Sequence, residues 1–482
     1  MYVQALADTA AEAQSAGLRN FAREHKSHAS YLDVAANTHG AEKGFLVHRA
    51  LRRIQQTRPQ VVEVGPGGGA AVTYLAAQLA GDRNLDSGPA RDVHLTLIEA
   101  PGVVSRSLAH AVEEFNKVGT CELRHGFAQD IGTLLAVPVD VISASALMHE
   151  VYSYGGGYSG LYTMMRTLPT VLNPGGFFAY RDVYAVDGPS LHERVSQSYN
   201  SRSWLTFLRL FTPQYLAVGT HPYHHADDEL VARQNSQIVP VTELDRATWA
   251  VITAPIGLFR ELQRHYITFR DHVWRSGMLG FTPMLDGDLA ADWIDFRAGH
   301  KRVHYQLGDE AAWLSGPQRK MLAAMSECYA DHHTIDSDIF DSVTDVALLA
   351  FLDAAESGDF TCRQVWDAWL LREGRETYAY MTLDELLTAF AVHSAEADTD
   401  TVLMPVQSGE IARVDRHYYN RFLTKRLANP LPDAKQLVLF QNVPRGDVSA
   451  LRQAFDALAD RCGKLSLARV YTAINKGDDW TA

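Results

Sequence analysis

The chain has 482 residues, a hydrophobic fraction of 46% and a net charge of −13. That length exceeds one ordinary domain and predicts about three, while the acidic balance argues against a nucleic-acid partner held through phosphate contacts. The four cysteines (Cys121, Cys328, Cys362 and Cys462) form no C-x-x-C pair, which argues against a zinc ribbon and a disulfide framework and predicts a reducing, cytoplasmic setting. Residues 1–50 read as a helical N-terminal cap, without proline and rich in Ala, Glu, Gln and Leu. The first residues lack a basic stretch followed by a long apolar one, so no signal peptide is expected, and no apolar run of about 18 residues predicts a membrane span. Residues 20–33 can place aromatic and polar groups on one helix face. Gly44 to Ile54 has helical spacing and is expected to cover a sheet.

The next stretch is the most informative. Val61-Val62-Glu63-Val64 reads as a strand, Gly65-Pro66-Gly67-Gly68-Gly69 as a tight turn, and residues 70–79 as a helix. Glycine reaches positive φ at little cost and lets a ligand approach the backbone, and a helix start offers free N–H groups. A dinucleotide fingerprint would be spaced G-x-G-x-x-G. Here the spacing is E-x-G-x-G-x-G, on Glu63, Gly65, Gly67 and Gly69. It resembles motif I of the class I S-adenosylmethionine (SAM) methyltransferases.

Later landmarks follow in the order of that family. Val93 to Glu99 reads as a second strand ending in an acid, Glu122 to Gly126 as a third, and Asp140 to Glu150 as a fourth with its exit loop. Leu172-Asn173-Pro174-Gly175-Gly176 leads into a fifth strand ending at Arg181-Asp182. The resemblance covers residues 45–186 and implies a class I methyltransferase-like (Rossmann-like) α/β sheet with SAM as cofactor. It implies that Glu63, Gly65, Gly67 and Gly69 cradle SAM, that Glu99 takes the ribose hydroxyls, and that Asp130 faces the adenine with Ala128 and Ile131 nearby. Ser143 on the fourth strand joins this set. His149 and Glu150 fall where ligands bind in a doubly wound sheet. Either is a candidate general base, and His149 is equally a candidate pocket-lining residue. No metal is implied, because a sulfonium leaving group is activated by its own charge. Arg181-Asp182 is open to two readings, a buried ion pair or a pair that orients the acceptor. Gly155-Gly156-Gly157 is either a mobile gate or a simple connection.

The polar segment 81–89 reads as a surface turn. Residues 187–310 form a long insertion on the acceptor side, rich in aromatics, with His221, His224 and His225 as a loop or weak metal candidate. The helix 261–275 places Leu262, Tyr266, Phe269 and Val273 on an apolar stripe, and Arg264, His265, Asp271, His272 and Arg275 on polar faces. His265 and His272 are outlying candidates for a base. The strand-like stretch 300–305 is expected to return to the sheet edge. Residues 311–482 read as an α-rich C-terminal domain. Its helices are expected at 317–331, 342–356, 361–372, 382–393 and 448–462, with Ser337-Asp338 as a turn and Thr382/Glu385 as a capping box. Two strands are expected, at 401–405 and 436–441. Residues 413–421 form a basic-aromatic cluster that can be a packed helix or an anion contact. This domain is a candidate homodimer surface.

The division expected is therefore 1–50, 51–186, 187–310 and 311–482. The function expected is methyl transfer from SAM to a small-molecule acceptor, with no membrane partner. A SAM-binding enzyme of other transfer chemistry and a non-catalytic scaffold that binds a protein are the alternatives.

Overall fold

The computed structural model describes residues 39–84, 92–103, 105–182, 190–218, 221–223, 230–283, 302–308, 316–406, 411–415 and 434–475. The expected leading helix at 20–33 and the basic-aromatic residues 416–421 lie outside them. The chain separates into two compact units. One comprises residues 1–189, 380–414 and 434–482, and the other residues 190–379 and 415–433.

The first unit is a layered α/β domain with the class I methyltransferase-like central sheet that the sequence implies. Its elements run α1 (Gly40–Leu51), β1 (Gln60–Val64), α2 (Ala70–Asn84), β2 (Val93–Glu99), α3 (Arg106–Phe115), β3 (Gly119–His125), the short α4 (Ile131–Leu134), β4 (Val139–Ser145), α5 (Met148–Tyr154), α6 (Tyr158–Val171) and β5 (Leu172–Asp182). The strands β1, β2, β4 and β5 are buried along nearly their whole length. This is the pattern of parallel strands covered by helices on both faces. The helix after β1 continues through Gly81 to Asn84 rather than breaking there, and Asp82 holds His48 of α1 at 2.8 Å. The glycine run 155–157 is a tight link between α5 and α6, with the Gly157 N–H donating to Tyr152 O at 2.9 Å.

The second unit contains β6 (Arg194–Tyr199), α7 (Arg202–Val218), β7 (Val231–Gln234), β8 (Gln237–Val239), β9 (Ala250–Pro255), α8 (Ile256–Arg275), β10 (Phe281–Pro283), β11 (Arg302–Leu307), α9 (Gly316–Met325), β12 (Glu327–Cys328), β13 (His333–Asp336), α10 (Ser337–Ser357) and α11 (Phe360–Arg372). Its strands form two four-stranded sheets. Its core is aromatic, with Trp204 stacked on Tyr266 at 3.7 Å and Phe269 against Trp366 and Trp369. The expected turn at Ser337-Asp338 is instead the start of α10. Asp336 caps it by accepting from the Asp338 N–H, which is the usual use of an aspartate before a helix. The expected helix 317–331 ends at Met325, and β12 follows it.

The chain then re-enters the first unit with α12 (Leu383–Ala395), β14 (Thr401–Pro405), β15 (Ile411–Asp415), β16 (Ala434–Pro444), α13 (Val448–Ala459) and α14 (Lys464–Ile474). The capping box on Thr382 and Glu385 forms as expected. α14 is absent from the sequence reading. The main sheet runs β14-β16-β5-β4-β1-β2-β3, with β15 also paired to β16. β16 lies antiparallel to both β5 and β14.

This order corrects the expected return at 300–305. β11 pairs with β10 and β13 in the second unit, and the sheet is completed from 401–405 and 434–444. The reason lies in the side chains. Leu437, Val438, Leu439 and Phe440 are consecutive and buried, which suits a strand covered on both faces. Residues 300–305 alternate. The expected division at 311 likewise falls inside the second unit, since the contacts of 380–406 and 434–475 are with the first. Among the described residues, no helix is long and apolar enough to cross a membrane.

Phe440 sits in the core with Phe178 and Phe390. Phe440→Ala should lower the unfolding free energy by about 3–5 kcal/mol, measured by urea titration. A change near zero would mean that β16 is not integral to the sheet.

Candidate active site

The glycine loop joins β1 to α2. Gly65, Gly67 and Gly69 have φ of +69°, +55° and +83°, which non-glycine residues rarely adopt. A Cβ on Gly69 would also lie 2.7 Å from the Ala111 Cβ. The G-x-G-x-G spacing is therefore a backbone requirement of this turn.

The Glu99 carboxylate, at the end of β2, reaches this loop. Its Oε2 accepts from the Gly67 N–H at 3.2 Å and its Oε1 from the Ala100 N–H at 2.8 Å. Ala128 and Ile131 are buried after β3, while Asp130 is exposed between them. Glycine loop, acid and post-β3 turn thus share the carboxyl ends of β1, β2 and β3. The donor set and the close-approach backbone fit a nucleoside-bearing cofactor.

Behind the loop the arrangement is ionic. Side chains alternate between the two faces of a strand, and register places Glu63 beside Ser143, and Ser145 beside Arg181. α1 adds Glu42 and Lys43, and β16 adds Lys435. Glu42 accepts from Arg181 (Nε 2.7 Å, Nη2 2.5 Å) and from Lys435 (2.7 Å). Burial alone would raise the Glu42 pKa, but the two cations outweigh it and bring the carboxyl down to about 2. Glu63 shows the reverse. Burial dominates and lifts it to about 7, against a hydrogen bond from Ser143 and the charges of Lys43 and Arg181. Burial also lowers the Lys43 ammonium to about 8. Glu63 and Ser143 thus sit under the glycine loop, bonded to each other.

The opposite face carries His149. It sits in the first turn of α5 and is buried. The fully buried Asp182 accepts from its backbone N–H at 3.1 Å and faces Nδ1 at 2.7 Å. An ionised carboxylate only accepts, so Nδ1 carries the proton in this contact. Arg181 and Asp182 form no pair with each other. They are neighbours on a strand and point to opposite faces, one to Glu42 and one to His149. Glu150 follows on the same helix, half-buried. The buried Tyr180 and Tyr380 hydroxyls lie 3.4 Å apart. Burial holds both pKa values well above 10, so they remain neutral.

No family model matches the chain, and no curated protein does. Solved structures similar to part of it include several methyltransferases and a cyclopropane synthase, MmaA2 from Mycobacterium tuberculosis (15% identity, 29% of this chain and 42% of that one, TM-score 0.20). The methyltransferases include SAM-bound CalS10, an amino pentose methyltransferase from Micromonospora echinaspora (16% identity, 33% of this chain and 58% of that one, TM-score 0.22). The N-methyltransferase NodS from Bradyrhizobium japonicum WM9 matches at 12% identity over 44% of this chain and 93% of that one, with a TM-score of 0.22. An O-methyltransferase family protein from Burkholderia thailandensis matches at 12% identity over 46% and 58%, with a TM-score of 0.24. The chain thus spans little more than half the length of CalS10 and of the Burkholderia protein. Likeness at this level concerns part of the fold, and the chemistry of the site rests on the chain's own residues.

Two other expectations are placed by the second unit. His265 is not on a solvated face. It is fully buried, with Nδ1 2.8 Å from Glu261 O and Nε2 3.0 Å from Glu373 O, and burial holds its pKa down near 4. His272 is half-buried on the same helix, while Asp271 is buried. His221 is buried between Tyr215 and Tyr223, and His224 and His225 lie outside the described residues. Glu42 and Lys435 escaped the sequence reading, which named Asp182 beside Arg181 but not as the partner of His149. The one available signal was the acid at the end of the fifth strand, 33 residues after His149.

Glu63 gives a pH test. It holds its proton in the folded state up to about pH 7, whereas an unfolded glutamate loses it near 4.5. Between these values this carboxyl binds fewer protons in the unfolded chain than in the folded one, so its contribution to stability falls as pH rises. A shift of this size corresponds to about 3 kcal/mol. Buried His265, held near 4, contributes the opposite slope over much of this window in both proteins, so the urea midpoint of Glu63→Gln should rise relative to the wild type as pH goes from 4.5 to 7. Identical profiles would remove the buried, protonated Glu63.

Proposed function

We propose that this protein is a SAM-dependent methyltransferase that acts on a small-molecule acceptor. The observation that carries this reading is the Glu99 carboxylate bound to the Gly67 N–H of a three-glycine turn. A carboxylate there can accept from two adjacent ribose hydroxyls, and the turn leaves room for the rest of the cofactor. Gly65, Gly67 and Gly69 would line the cradle, with Asp130 and Ile131 toward the base. Glu63 and Ser143 would support the loop from beneath. When bound, SAM supplies a methyl group activated by a positively charged sulfur.

His149, rather than Glu150, is assigned as the base. Its Nε2 is the nitrogen able to take a proton from the acceptor, and Asp182 would hold the ring and balance the imidazolium charge. The Asp182 contacts fix both the backbone and the ring of His149, so orientation is built in before any substrate arrives. The net charge of −13 favours a small acceptor over a nucleic acid.

Calorimetry with S-adenosylhomocysteine tests the cofactor site. The wild type should bind in the micromolar range, and Glu99→Ala should bind at least tenfold more weakly, about 1.4 kcal/mol. In an acceptor screen with labelled SAM, His149→Ala should keep cofactor binding and lower the turnover of any hit by ~10²–10⁴. A folded wild type that does not bind S-adenosylhomocysteine would sink the proposal.

A further inference from the structure

β16 lies beside β5 with Gln436 directly opposite Asp182 and Leu437 opposite Arg181. Opposed residues of an antiparallel pair share a face, with Cβ atoms about 4.5–5.5 Å apart. Gln436 therefore stands on the face of Asp182 and His149. Leu437 stands on the face of Arg181 and Glu42.

Gln436 is 1% exposed, and neither its amide oxygen nor its amide nitrogen has a hydrogen-bond partner. Buried amides are nearly always paired, because an unpaired one forfeits its hydration. Tyr180 and Tyr380 bond each other, and Tyr158 O–H donates to Tyr380 O at 2.6 Å. An apolar residue would suit this position in a buried strand better. The place is the carboxyl end of β5, where open α/β sheets bind their ligands.

We propose that Gln436 reads the methyl acceptor, and that the acceptor is a neutral molecule with two adjacent hydroxyl groups. This rests on the methyltransferase reading above. One hydroxyl gives its proton to Nε2 of His149. The other donates to the Gln436 amide oxygen and accepts from its NH₂, which a hydroxyl can do at once. An anionic group is disfavoured beside Asp182 and would leave the amide oxygen facing a negative charge. An ammonium group has no acceptor for the amide NH₂. In the transfer, the hydroxyl oxygen gains the methyl carbon as the carbon–sulfur bond breaks with its electron pair on sulfur. The released proton stays on His149, so the positive charge ends beside Asp182. A sugar and a phenolic ring both offer such a hydroxyl pair.

The test is calorimetric titration of the full chain saturated with S-adenosylhomocysteine. The probes are catechol, methyl α-D-glucopyranoside and, as a single-hydroxyl control, phenol. The wild type should bind at least one of the two diols, and Gln436→Leu should bind it at least tenfold more weakly. Phenol affinity should change less than twofold, and S-adenosylhomocysteine affinity should stay the same. Gln436→Leu should also melt no lower than the wild type, since it removes an unpaired amide. If that variant does not fold, Gln436→Met replaces it. Binding of catechol alone assigns an aromatic diol, and binding of the glycoside alone assigns a sugar. Diol binding unchanged by the substitution overturns the proposal, as does no diol binding by a protein that still binds S-adenosylhomocysteine. Failure of the wild type to bind S-adenosylhomocysteine overturns the methyltransferase reading itself, and this proposal with it.

Discussion

Successive side chains of a strand point to opposite faces, and the end of β5 turns this constraint into two chemistries. Arg181 points to one face, where it meets Glu42 of α1. Asp182 points to the other, where it holds His149. A one-residue slip of β5 would exchange the two, leaving a cation beside the histidine and a carboxylate beside Glu42. β16 pins that register from the far side. Lys435 joins Arg181 on Glu42, and Gln436 joins Asp182.

The ionic face is where burial and pairing compete most openly. Glu42, Lys43, Glu63, Arg181 and Lys435 gather in one charged cluster. Glu42 has two cations in direct contact and stays ionised. Glu63 has a serine and more distant charges, so burial wins and the carboxyl is raised. Two glutamates within one cluster are thus driven in opposite directions by what lies within hydrogen-bond reach. The cluster ties α1, β1, β4, β5 and β16 together, with buried ion pairs that are costly to break singly. It lies on the face opposite His149.

The second unit interrupts the first between β5 and α12. It brings two small antiparallel sheets and a helical, aromatic core. Along α8, Glu261, His265, Arg270 and Asp271 are buried together with the apolar stripe. Amphipathic spacing identified that helix but misjudged its polar side, because spacing reports which residues differ and not what covers them. Charged residues can be buried when other elements satisfy them. Here Ala379 N–H donates to Glu261 and Glu373 O faces His265.

Sequence alone determined the parts of this protein whose cause is local. The turn after β1 needs positive φ at Gly65, Gly67 and Gly69, and glycine is the residue that supplies it. Thr382 and Glu385 cap a helix across a single turn. Runs of β-branched and apolar residues mark β1, β2 and β4, and even β14 and β16 are legible as strands. Tertiary structure decided which strands meet and which polar groups face each other. The His149–Asp182, Glu42–Arg181 and Glu42–Lys435 contacts span 33, 139 and 393 residues. No local pattern encodes such pairings. They exist because the sheet brings strand ends from remote parts of the chain to one edge, and the alternation of side chains then decides which remote residues share a face.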